Sequence, residues 1–311
     1  MAVTLYQSGE SGAPTLTGEN GSLVALLLAC LVNGYGGKAG AGWTRPYTGT
    51  GKAVFKAGAG TQACLWIDDN APGGGAAREA RARGYEAMTG LDAGSGPFPT
   101  TSQMAVPVIL RKSASTDATI RPWIVLADDK RFYLFLDNGD SAGNLSGFFF
   151  GDLNSVKTGG DAYSGAIIGR TTENSATASH DVLPSLGTTG PNSSALGAHY
   201  VARSHDPTNP VAVNFGKFAE LAYHSGSTMG AASNFTTTPN PPDGGIYFTP
   251  IMTCHGGAAR GRMPGLWAPC HNRYFSHGVT ITGSGETAGR SLLLINTLNS
   301  GQLALDLTGP W

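Results

Sequence analysis

The stretch that decides the fold is residues 120–153, IRPWIVLADDKRFYLFLDNGDSAGNLSGFFFGDL. It holds three apolar runs, at 123–127, 132–136 and 148–150. Each is rich in aromatic and β-branched residues and short enough to be a strand. Asp128, Asp129 and Lys130 separate the first two runs, a polar break that suits a hairpin turn. A longer loop opens at Asp137, Asn138, Gly139 and Asp140 before the third. The stretch predicts a three-stranded antiparallel meander with at least one buried face. Its ordinary role is sheet core without chemistry.

Upstream, Thr4, Leu5 and Tyr6 can add a strand to a sheet edge. Asn20 or Ser22 can cap a helix over 23–32, closed by Asn33 and Gly34. Leu23, Leu26, Leu27, Leu28 and Leu31 wrap most of that helix, so it is expected to be buried on more than one side. The glycine-rich 34–42 reads as a flexible connector. It is not a phosphate loop, because Gly37-Lys38 is followed by Ala39 and the helix precedes the loop. Strands are predicted at 43–47, 53–57, 63–68 and 106–110. The charge-dense segment 76–88 can be helix or strand, and its arginines are expected on a solvated face or, more sharply, at an intersubunit surface.

Downstream, 154–197 is crowded with Gly, Ser, Thr and Asn around one apolar piece at 166–168. Its length marks a connection ordered on a partner or a linker between domains. Strands resume at 199–203, 211–215 and 246–254, where Pro250 signals an edge or a bulge. Residues 218–223 can be helix or strand, 225–245 is a second polar loop, and 256–274 reads as an Arg-, Gly- and Pro-rich loop. A terminal hairpin is predicted from 291–297 and 302–307 around Asn299, Ser300 and Gly301, with Trp311 packed rather than frayed. The expected fold class is mainly β, with antiparallel sheets in sandwich or barrel-like units, one N-terminal helix and long loops. The expected division is 1–153, a loop-rich connector at 154–198, and a β domain at 199–311.

Composition narrows the function. Glycine is 46 of 311 residues, about twice its usual share, while charged residues are 13%, about half theirs. Net charge is −1, so self-association meets little repulsion, and no basic run invites nucleic acid or a membrane surface. No charged n-region precedes 23–32, so no export signal is expected. Cys30, Cys64, Cys254 and Cys270 are read as free thiols. Cys254-His255 and Cys270-His271 invite zinc, but strand neighbours point to opposite faces and the usual ligand spacing is absent. Asp68-Asp69, His180-Asp181 and His205-Asp206 are acid–base pairs only in sequence, which does not bring them to hydrogen-bond distance, and Asp128-Asp129 sits at a predicted turn, where Asp is common for backbone reasons. Tyr85, Trp123, Tyr133 and the Phe148–Phe150 run suit core packing better than a sugar platform. No catalytic, cofactor-binding or metal-binding residue is assigned.

Four segments carry a resemblance: SLVALLLACLVNGYG at 22–36, GWTRPYTGTGKAVFKAG at 42–58 with LWIDD after it, the central meander, and GLWAPCHNR at 265–273 with the closing LDLTGPW. Together they resemble a poorly characterised family of tailed-bacteriophage virion proteins encoded among tail and baseplate genes. The resemblance implies a structural role without catalytic residues. The protein would be made in the host cytoplasm and end in the virion tail, and its partners would be copies of itself and other tail or baseplate proteins. The polar loops would be contact arms, so deleting 160–195 is expected to spare the fold and abolish incorporation. Two other readings remain: a tail-tip module binding host glycan through exposed aromatics such as Trp267 and Tyr274, and a hydrolase of cell-wall or surface polysaccharide.

Overall fold

The computed structural model describes residues 2–69, 78–140, 145–174, 181, 183, 197–204, 211–212, 214–217, 246–255, 258–269, 275–296 and 302–311. In chain order the strands are β1 (Thr4–Gln7), β2 (Thr44–Gly49), β3 (Lys52–Lys56), β4 (Cys64–Asp68), β5 (Glu79–Gly90), β6 (Ala93–Phe98) and β7 (Val108–Arg111). The meander follows as β8 (Trp123–Ala127), β9 (Arg131–Asp137) and β10 (Leu145–Asp152). Next come β11 (Asn154–Ser155), β12 (Gly165–Arg170), β13 (Gly197–Val201), β14 (Val211–Ala212) and β15 (Asn214–Lys217). The chain closes with β16 (Phe248–His255), β17 (Ala258–Pro269), β18 (Thr280–Thr282), β19 (Ser291–Asn296) and β20 (Gln302–Asp306). The fold is mainly β, and every strand pairing described is antiparallel.

The first sheet runs β1-β8-β9-β10-β12-β7-β5-β4-β3-β2, with β13 on β12, β14 on β13 and β6 on β5. The meander is its centre. Phe149 lies opposite Tyr133, and Leu126 opposite Tyr133 on the other side. The turn forms because the Asp128 carboxylate accepts the backbone N–H groups of Lys130 and Arg131 at 2.8 and 2.9 Å. Both faces of the meander are buried. Phe132, Leu134, Leu136, Phe148 and Phe150 join one core, while Tyr133, Phe135 and Phe149 join another. Alternation along the strand produces that split, so an almost uniformly apolar run marks a strand covered on both sides.

The first core is the inside of a curl. Side chains from β3, β4 and β5 share it with the meander and with Leu23, Leu26, Leu27 and Leu31 of the helix. The sheet bends into a half-barrel around α1 (Ser22–Leu27), which continues as a π-helical turn to Asn33. Those four leucines are fully buried, each stabilising the fold by about 1.5–3 kcal/mol. The expected side-chain cap from Asn20 or Ser22 does not form. Gly21 holds the cap position at φ 82°, and the Asp69 carboxylate, 46 residues on, accepts the Leu23 N–H at 2.8 Å. Lys112 closes this arrangement. It pairs with Asp69 at 2.5 Å, both side chains fully buried, and donates to Ser22 at 3.1 Å. The segment 34–42 is not a flexible connector. Gly34, at φ 79°, would drive a side chain into the Lys38 carbonyl, and Lys38 is tied to Glu10 and to the Leu5 carbonyl.

The second sheet runs β15-β16-β17-β20-β19-β18, with β11 on β17. Ile251, Met263, Leu266, Leu293, Ile295, Leu303 and Leu305 pack against Tyr133, Phe135, Phe149 and Ile168 of the first. The result is three layers: helix, curled sheet, second sheet.

Several sequence expectations are corrected here. The 154–198 segment supplies β11 to the second sheet and β12 to the interior of the first, between β10 and β13 and touching β7. Every residue of β12 is buried, so deleting 160–195 removes an interior strand rather than an arm. The first sheet takes strands from both sides of that segment, with β13 and β14 on its far side. Residues 79–90 form a strand between β4 and β7, and their charges are not a solvated face: Arg111 is buried and pairs with Glu79 and Asp140, Arg81 pairs with Glu173, and Arg203 pairs with Glu86. The expected 256–274 loop is largely β17, a central strand, because its Gly- and Pro-rich middle forms a bulge instead of breaking the ladder. Residues 218–245 and 270–274 lie outside the described residues.

Candidate functional site

Across β16 and β17, Pro250 pairs with Trp267 and Met252 with Arg262. Ile251 alone therefore faces the four residues 263–266. Gly265 takes φ +63° in this bulge, and a Cβ there would collide with the indole of Trp311. The bulge is held from the first sheet, since the Tyr133 hydroxyl donates to the Pro264 carbonyl at 2.8 Å. Trp311 completes the clamp. Its ring meets Tyr133 edge-on at 5.6 Å, and its indole N–H donates to the Asp306 carbonyl at 2.9 Å. The C-terminal aromatic is packed, as its size suggested.

A cavity of about 320 Å³ opens beside the bulge. Trp267, Trp311, Arg262, Glu286, Arg290 and Asp306 are among its lining residues. Asp306 is fully buried and ion-paired to Arg290, whose guanidinium stands 5.9 Å from the Trp267 ring centre. That pair neutralises itself. Arg262 and Glu286 are exposed, and neither side chain has an ion pair or hydrogen bond among the described residues. The Trp267 indole N–H is buried and has no acceptor among the described residues. The wall thus offers a free cation, a free carboxylate and indole surface. It can bind a compact polar molecule.

The residues weighed in the sequence fall elsewhere, Trp267 excepted. Trp267 is only 7% exposed, so it is not part of an exposed aromatic platform, and Tyr274 lies outside the described residues. Cys254 and His255 end β16 opposite Ala259 and Ala258, and burial pushes the Cys254 thiol up. Cys270, His271, His180, His205 and Asp206 lie outside the described residues. Asp68 pairs with Lys52 at 3.2 Å, Asp69 with Lys112, and Asp181 with Arg170. Each of these aspartates balances a cation within the fold. Among the described residues, no three His, Cys, Asp or Glu side chains stand together as a metal site would require. The cavity itself gave no sequence signal, because its wall is drawn from five separated stretches between Asn154 and Trp311. No family model matches the chain, and no curated protein matches it.

Proposed function

We propose that this chain is a structural component of a tailed-phage virion, in the tail or baseplate, acting by self-assembly and contact with other tail proteins. The observation that carries the reading is where the four resembling segments sit. SLVALLLACLVNGYG is the helix inside the curl, GWTRPYTGTGKAVFKAG is β2 and β3, the meander is the centre of the first sheet, and LDLTGPW is the clamp on the bulge. The likeness therefore rests on residues that build the architecture. Charge supports the reading too. Arg111, Lys112, Arg170 and Arg260 are spent on buried partners, leaving a surface of low charge suited to packing between subunits. The test is the mass of the purified full-length protein in solution by light scattering. A discrete trimer, hexamer or larger ring is expected, and a monomer at every concentration up to the solubility limit would overturn self-assembly.

A further inference from the structure

We propose that the cavity at the β17 bulge is a binding site for a neutral sugar, a mono- or disaccharide. This goes beyond the virion reading and does not depend on it. Size comes first: about 320 Å³ stands at the low end of ligand cavities, about 300–1,000 Å³, enough for a short saccharide and not for a long chain. Charge comes second. Two cationic and two carboxylate side chains are in the wall, and Arg290 with Asp306 cancel, leaving Arg262 and Glu286. A phosphate would be drawn to Arg262 and repelled by Glu286, and a metal cation the reverse. A neutral ligand whose hydroxyls both donate and accept satisfies both at once. Glu286 accepts from one hydroxyl, and Arg262 donates to another. Indole surface from Trp267 and Trp311 supplies the apolar wall against which C–H faces of a sugar ring pack.

The bulge makes the site. It spreads four residues of β17 against one of β16. Because Trp311 and Tyr133 hold it in place, the cavity is formed before any ligand arrives.

The experiment is ligand-observed NMR on the full chain with glucose, galactose, N-acetylglucosamine, maltose, lactose and chitobiose, each titrated into the millimolar range. Inorganic phosphate and calcium are run as controls. Saturable binding of at least one sugar is expected, weakened about tenfold or more by Arg262→Ala and by Glu286→Gln. Both side chains are exposed, so neither change threatens the fold. Trp267→Phe replaces the indole of the apolar wall with a smaller ring, and is expected to weaken the same sugar. No binding by any of the six sugars would overturn the proposal. So would binding unaffected by both surface variants, or phosphate bound in preference to sugar. Oligomeric mass is read separately, so loss of the sugar site and loss of the virion reading are distinguishable.

Discussion

Replacing Arg260 with methionine is expected to loosen the seam between the two sheets. Arg260 sits in β17 and is 1% exposed. Its guanidinium reaches Asp161 at 2.5 Å, the Ser155 hydroxyl at 3.0 Å, the Tyr163 carbonyl at 3.0 Å and the Arg203 carbonyl at 3.1 Å. One side chain thus ties the β11–β12 connection and the end of β13 to the second sheet. Methionine fills most of the volume but leaves the buried Asp161 carboxylate without its cation and two carbonyls without their donor. Breaking one side of a buried ion pair costs about 3–5 kcal/mol. Asp161 keeps the Ser155 hydroxyl at 2.6 Å and the Tyr163 N–H at 3.0 Å, which holds the loss to about 4 kcal/mol. With an unfolding entropy of about 2.1 cal/mol/K per residue over 311 residues, that lowers Tm by about 6 °C for a single cooperative transition. Urea unfolding of Arg260→Met, Asp161→Asn and the double variant measures it. The double variant is expected to lose less than the sum of the singles, by about 1.5–3 kcal/mol. A loss below about 1 kcal/mol for Arg260→Met would refute the reasoning, because the pair would then be worth no more than a solvated one.

Asp161 also carries a pH dependence. Burial pushes its carboxyl up, but the Ser155 hydroxyl and Arg260 outweigh that and hold it below the usual range. A depressed folded value contributes stability above the unfolded value, lost as pH falls through the folded one, so an acid titration of Asp161→Asn should show a shallower acid limb than the parent. At the helix cap, Lys112→Met alone should cost about 3–5 kcal/mol by stranding Asp69, whereas Lys112→Met with Asp69→Asn, which removes the charge and keeps an acceptor for the Leu23 N–H, should recover part of it, measured by urea midpoint. Gly265→Ala should cost about 1–3 kcal/mol through its positive φ and displace Trp311, seen as a red shift in tryptophan emission; unchanged emission would count against the clamp. Burial pushes the Cys30 and Cys64 thiols up, so both should resist alkylation in the native protein, read by peptide mapping before and after denaturant.

The meander was legible because its turn chemistry and apolar runs agree, and the helix because its leucines wrap the axis. What stayed hidden was long-range. Asp69 caps a helix 46 residues away, a relation no local pattern contains. The charges of 79–90 looked solvated because sequence cannot show Glu79 meeting Arg111, or Arg83 donating to the Met104 carbonyl at 2.9 Å. Arg, Gly and Pro disguised β17 as a loop, since a bulge breaks the alternation that marks a strand. Trp267 drew notice as an exposed aromatic, and the fold buries it in a cavity wall instead.

The most direct measurement is peptide mass spectrometry of density-banded phage particles from the lysate in which this chain is made. The chain is expected in the intact particles at a fixed ratio to other tail proteins across the band. Its presence in the lysate but absence from the banded particles would contradict a structural role in the virion.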